Sequence, residues 1–199
     1  MTEPIFVNLG QALHFSFLME LIPASNKGAS QIAFEHLMEN SGRVFDSGPP
    51  STINMKGLSI IEIRGQCAMV RSLVEDHLLA PEKYALWARY GQYDNRAKVY
   101  TKMDGVEGIA HYVEPACLVK GDALLELAGN FYNLTGFSKK GHRKPPPTMR
   151  QIAKKYEIDL AKLARTKRVI GQKAAQLEIV AFGRLYELLK NKELAEILE

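Results

Sequence analysis

Cysteine is nearly missing from this chain, and its scarcity excludes two chemistries at once. Only Cys67 and Cys117 occur in 199 residues, far apart and outside any C-x-x-C pair, so neither a zinc ribbon nor a redox dithiol is expected. Both read as small buried apolar residues. Long apolar runs are missing too. Leu9 to Ile22 is interrupted by His14, Ser16 and Glu20 and falls short of the roughly 20 residues a bilayer requires. Met1-Thr2-Glu3-Pro4 ahead of it lacks the basic cluster of a secretory signal, so no membrane segment is expected and the cytoplasm is the default compartment. P-loop, dinucleotide fingerprint, nucleophile elbow and H-E-x-x-H are all absent, which leaves no catalytic residue, cofactor or metal to assign.

Composition is otherwise ordinary. Apolar residues at 46% and charged residues at 24% match a folded globular chain, long enough for one large domain or two small ones. The charge map is more informative than the total of +4. Between Ser138 and Lys173 lie twelve basic residues against only Glu157 and Asp159, a local excess of +10 that leaves −6 on the rest of the chain. Such asymmetry is the electrostatic footprint of contact with a polyanion.

Apolar spacing is helical nearly everywhere and strict alternation is absent, so the fold class expected is all-α: a multi-helix body, a pair of helices joined by a turn, and a long terminal helix. A first helix covers Gly10 to Leu21 and ends before Pro23, and a second runs from about Gly28 to Glu39. Ser47-Gly48-Pro49-Pro50-Ser51 makes Arg43 to Gly57 a loop or extended arm. Ser59 and Glu62 have capping-box spacing ahead of a helix to about Leu78. Pro81 suits the first position of the next helix, which carries Tyr84, Leu86, Trp87 and Tyr90 before Gly91. Helical segments follow near 106–113 and 121–132. These features divide the chain into a helical body (1–135), a basic, Pro-rich linker (136–147) containing Pro145-Pro146-Pro147, and a C-terminal unit (148–199).

Within that unit Thr148 and Gln151 form a second capping box directly after the prolines. Ile152, Ala153 and Tyr156 give a short helix one buried face, Ile158 supplies the apolar residue of a turn, and Asp159 can cap a second helix buried at Leu163 and Ile170. From Ile170 onward, Ala174, Leu177, Ala181, Leu185 and Leu188 hold one apolar stripe, which needs either the body or a second copy of the chain as its partner.

The segment Thr148 to Ile170 resembles the helix-turn-helix of transcription factors and, more loosely, the sigma-factor region that reads the −35 element. Glu157 occupies the turn position usually given to glycine, and Thr166 a position usually apolar. The wider layout is similar to small phage or prophage regulators of the antitermination type. These resemblances imply a transcriptional regulator that binds double-stranded DNA, with RNA polymerase or another protein as a partner of the body, a homodimer as one assembly, and no membrane. Base contacts would come from Leu160, Ala161, Ala164, Arg165 and Arg168, with Arg165 able to bond guanine O6 and N7 together. Phosphate contacts would come from Lys139, Lys140, Arg143, Lys144, Arg150, Lys154, Lys155, Lys162 and Lys167. The competing reading is a helical assembly protein whose basic hairpin binds an acidic partner or RNA.

Two other constellations read as structural. Glu107, His111 and Glu114 share a helix face, which a solvated polar stripe explains without a metal. Tyr84, Trp87 and Tyr90 recur every three residues, as one packed face does, rather than as a base-stacking platform.

Overall fold

The computed structural model describes Phe6, residues 8–21, 59–94, 98–134, 136–137 and 143–191. The expected helix at 28–39 and the arm at 43–57 lie outside the described residues, as do Lys139 and Lys140. The fold is all-α. In chain order the helices are α1 (Leu9–Leu18), continued by a 3₁₀ turn at Met19–Leu21, α2 (Ile60–His77), α3 (Ala80–Tyr90), α4 (Thr101–Val113), α5 (Gly121–Phe131), α6 (Met149–Tyr156) and α7 (Leu160–Asn191). Among the described residues the only ladder is a two-residue pairing of β1 (Gly136–Phe137) with β2 (Arg143–Lys144), antiparallel, Gly136 opposite Lys144. No described helix is long and apolar enough to cross a membrane.

The described residues form two compact units, one holding residues up to 77 together with 184–191, the other 78–183. In the first, α1 packs on α2. The Asn8 side chain accepts from the Gln11 amide at 2.8 Å and so caps α1. Leu13, Phe17 and Met19 of the first segment, and Ile63, Cys67, Val70 and Val74 along one face of α2, are buried. Ser59 and Glu62 form the expected capping box, with the Ser59 amide donating to the Glu62 carboxylate at 2.7 Å. The Arg71 guanidinium ties the two helices by donating to the Ser16 carbonyl and pairing with Glu20 at 3.7 Å. Burial pushes the Cys67 thiol up to about 11, so it behaves as an apolar core group.

The second unit is built around α3 and α4. Their backbones meet at Gly105, where a Cβ would fall 2.2 Å from the Ala88 nitrogen, so only glycine permits this approach. α3 begins one residue earlier than expected, placing Pro81 at its second position, and the Leu79 amide donates to Glu82 at 3.1 Å. Tyr84 meets Trp87 edge-on and packs over Gly108, while Tyr90 stacks on Phe182, so the aromatic cluster is structural. Glu114, one of the three residues on the polar stripe, accepts from the Gly121 amide at 2.9 Å and so anchors the start of α5, while Glu107 and His111 are exposed. Among the described residues no group of three His, Cys, Asp or Glu is placed to hold a metal.

The same core takes in the C-terminal helices. Ile152 of α6 and Leu163, Ile170 and Ala174 of α7 are buried in one cluster with Val106, Ile109, Leu124 and Leu127. The Pro-rich segment therefore joins two parts of one core, where the sequence suggested a linker between a body and a separate unit. The Asn130 amide fixes its end by donating to the Pro147 carbonyl at 2.9 Å. A second revision concerns α7: the short second helix and the terminal helix are one continuous element of 32 residues. Gly171 does not break it, and no proline follows until the chain ends.

Candidate nucleic-acid interface

Thr148 starts α6 as its sequence requires. Its hydroxyl accepts from the Gln151 amide at 3.3 Å, and its own amide donates to the Gln151 side chain at 2.8 Å. The helix ends after two turns because Glu157 adopts a left-handed backbone, φ 55° and ψ 40°. The Glu157 and Ile158 amides both donate to the Ala153 carbonyl, and Ile158 tucks against the core. This is the Schellman ending, in which an αL residue closes the helix and an apolar residue behind it packs back. Asp159 then opens α7, accepting from the Ala161 amide at 3.3 Å. Two helices and a three-residue turn result, as the sequence anticipated.

Burial on α7 sorts its residues into faces. Leu163, Thr166 and Ile170 point inward, each 1% exposed or less, which turns Ala161, Ala164, Arg165 and Arg168 to the opposite side. All four are exposed, as is Leu160 at the first helical position. From Ala161 to Arg168 this face runs about 10 Å along the axis, the rise of about three base pairs. The alanines keep the surface low on the N-terminal side of the two guanidinium groups. Thr166, at the position where an apolar residue was expected, is buried with its hydroxyl unpartnered among the described residues.

The cations expected to hold phosphate separate into three groups. Arg150, Lys154 and Lys162 are exposed and, among the described residues, have no carboxylate partner, a property they share with Arg165 and Arg168. Lys155 differs: its ammonium pairs with Glu126 of α5 and lies 4.8 Å over the Tyr156 ring, and Glu126 also accepts from the Tyr156 hydroxyl at 3.1 Å. Glu126 holds the Lys155 ammonium in its charged form to a pH well above the usual lysine range. Lys167 is half-buried and donates to the Asn130 side chain at 2.8 Å. Arg143 and Lys144 sit in β2, and only their backbone is described. Sequence reasoning could not place Glu126 or Asn130 here, because they lie 29 and 37 residues away from the lysines they engage.

No protein-family model matches the chain, and no curated protein matches it.

Proposed function

We propose that this protein is a sequence-specific, DNA-binding transcriptional regulator that reads the major groove with the first half of α7. One observation carries the reading. A short helix and a Schellman turn brace α7 against the core through Leu163 and Ile170, and its opposite face offers Ala161, Ala164, Arg165 and Arg168 to solvent. A guanidinium on such a face can bond guanine O6 and N7 together, and an alanine can meet a thymine methyl. Arg150, Lys154 and Lys162 flank that face as phosphate contacts, and the positive end of the α7 dipole adds to the attraction. Lys155 and Lys167 serve the fold through Glu126 and Asn130, so their part in binding is secondary.

Such a regulator acts in the cytoplasm. The remaining helices would contact a second protein, with RNA polymerase the candidate that the resemblance to phage antitermination regulators suggests. Selection of duplexes from a random pool tests the reading. A discrete motif should emerge, Arg165→Ala should relax preference at one position at a cost of about 1–3 kcal/mol, and Lys154→Ala should weaken all duplexes alike. Failure to enrich any motif, together with retention of RNA or of an acidic peptide, would instead support a basic assembly protein.

A further inference from the structure

A cleft of about 360 Å³ opens within the unit formed by residues 78–183, between α3, the end of α5 and the middle of α7. Its apolar walls are made of small side chains, Ala88 from α3 and Ala174 and Ala175 from α7. Gly171 extends that wall: a Cβ there would come 3.2 Å from the Phe131 ring, so glycine lets the ring rest close against the helix. Narrow walls of small residues beside an aromatic ring suit a flat ligand, and the volume lies within the range of small-molecule sites.

Polar groups converge on the same space. Arg89 and Glu178, both lining the cleft, pair at 2.7 Å, and the Glu178 side chain is only 13% exposed. Tyr132 also lines it, is 8% exposed, and has a buried hydroxyl with no hydrogen-bond partner among the described residues. Buried polar atoms are nearly always satisfied, so this orphaned hydroxyl, which is sealed from solvent, lacks a partner that an occupant of the cleft would supply on parting the side chains over it. Burial, reinforced by the Glu178 carboxylate and opposed by Arg89, holds this phenol protonated far above neutral pH, which makes it a standing donor. The guanidinium and carboxylate cancel in charge, so the site offers a donor and an acceptor side by side without favouring a net charge on its occupant.

We propose that this cleft is a binding site for a small, neutral, planar heteroaromatic molecule that accepts from the Tyr132 hydroxyl and presents a donor-acceptor edge to Arg89 and Glu178. The site is independent of the DNA-binding reading and stands whether or not that reading does.

Adenine, benzoate and benzylammonium, titrated at millimolar concentration into the ¹⁵N-labelled full chain, test it by amide chemical shift. Adenine should give saturable shifts at Ala88, Phe131 and Ala175, and the two charged probes should not. Tyr132→Phe, which keeps the ring and removes only the donor, should weaken adenine by about tenfold. Ala175→Trp, at an exposed position on the rim, should abolish the shifts. Absence of saturable shifts with adenine overturns the site. Equal binding of a charged probe overturns the ligand class, and undiminished binding by Tyr132→Phe overturns the role of the hydroxyl.

Discussion

Replacing Glu157 with glycine should stabilise the protein, although it removes a side chain. Glu157 sits at φ 55° and ψ 40°, where a residue bearing a Cβ is strained by about 1–2 kcal/mol. Glycine relieves that strain but is freer in the unfolded chain, which takes back about 0.5–1 kcal/mol. The Glu157 carboxylate also lies at the negative end of the α6 dipole, and its loss adds roughly 0.3–1 kcal/mol. The Glu157 side chain is exposed and has no carboxylate-cation pair among the described residues, so no lost ion pair reduces the gain further. The net is about 1 kcal/mol, roughly a fivefold shift in the folding equilibrium. Urea unfolding measures it as a higher midpoint at unchanged slope. Glu157→Gln is the control, because it removes the charge and keeps the Cβ, and it should gain only a few tenths of a kcal/mol. A gain for Gln equal to that for Gly would refute the backbone argument, and a loss for Gly would refute the whole account of the turn.

Gly105→Ala should destabilise the protein by about 3 kcal/mol or more, since the added methyl would press into the backbone of α3 at Ala88; thermal unfolding would show it, and a change under 1 kcal/mol would mean the two helices are further apart than described. The Glu62 carboxyl is held below the usual carboxylate range by hydrogen bonds from the Ser59 hydroxyl and amide. Its contribution to stability is therefore present above the ordinary glutamate pKa and lost as pH falls through the lowered value. In Ser59→Ala the Glu62 titration followed by NMR should move up toward the ordinary range, and an unmoved midpoint would show that the hydroxyl does not act.

The parts of this molecule that are encoded locally were legible in its sequence. The two capping boxes at Ser59 and Thr148, the stop at Gly91, and the burial of Ile152, Leu163 and Ile170 each depend on residues within a few turns of one another, and all are present. Glu157 shows how far local reading reaches: the sequence marked its position as one favouring glycine, and the backbone there is left-handed as that position requires. Long-range pairing left no local signal. The engagement of Lys155 by Glu126 and of Lys167 by Asn130 joins residues 29 and 37 positions apart, which no local pattern announces. Periodicity also could not say where one helix gives way to another, because the apolar stripe through Ile170, Ala174, Ala181 and Leu185 continues without a breaking residue and α7 simply runs on. The linker was misjudged for a related reason. Proline and basic residues describe how stiff and how charged a segment is, whereas whether its flanks share a core depends on the burial of Ile152 and Leu163 against α4 and α5.

Whether the exposed cationic face of α6 and α7 binds duplex DNA is measured most directly by a salt titration with random duplex. Each phosphate contact contributes about −0.9 to the slope of log affinity against log salt, so Arg150, Lys154 and Lys162 together require a slope of about −3 or steeper. Removing Lys154 and Lys162 together should flatten it by about 2. Affinity indifferent to salt, or a slope that the double substitution leaves unchanged, would contradict the assignment of this surface.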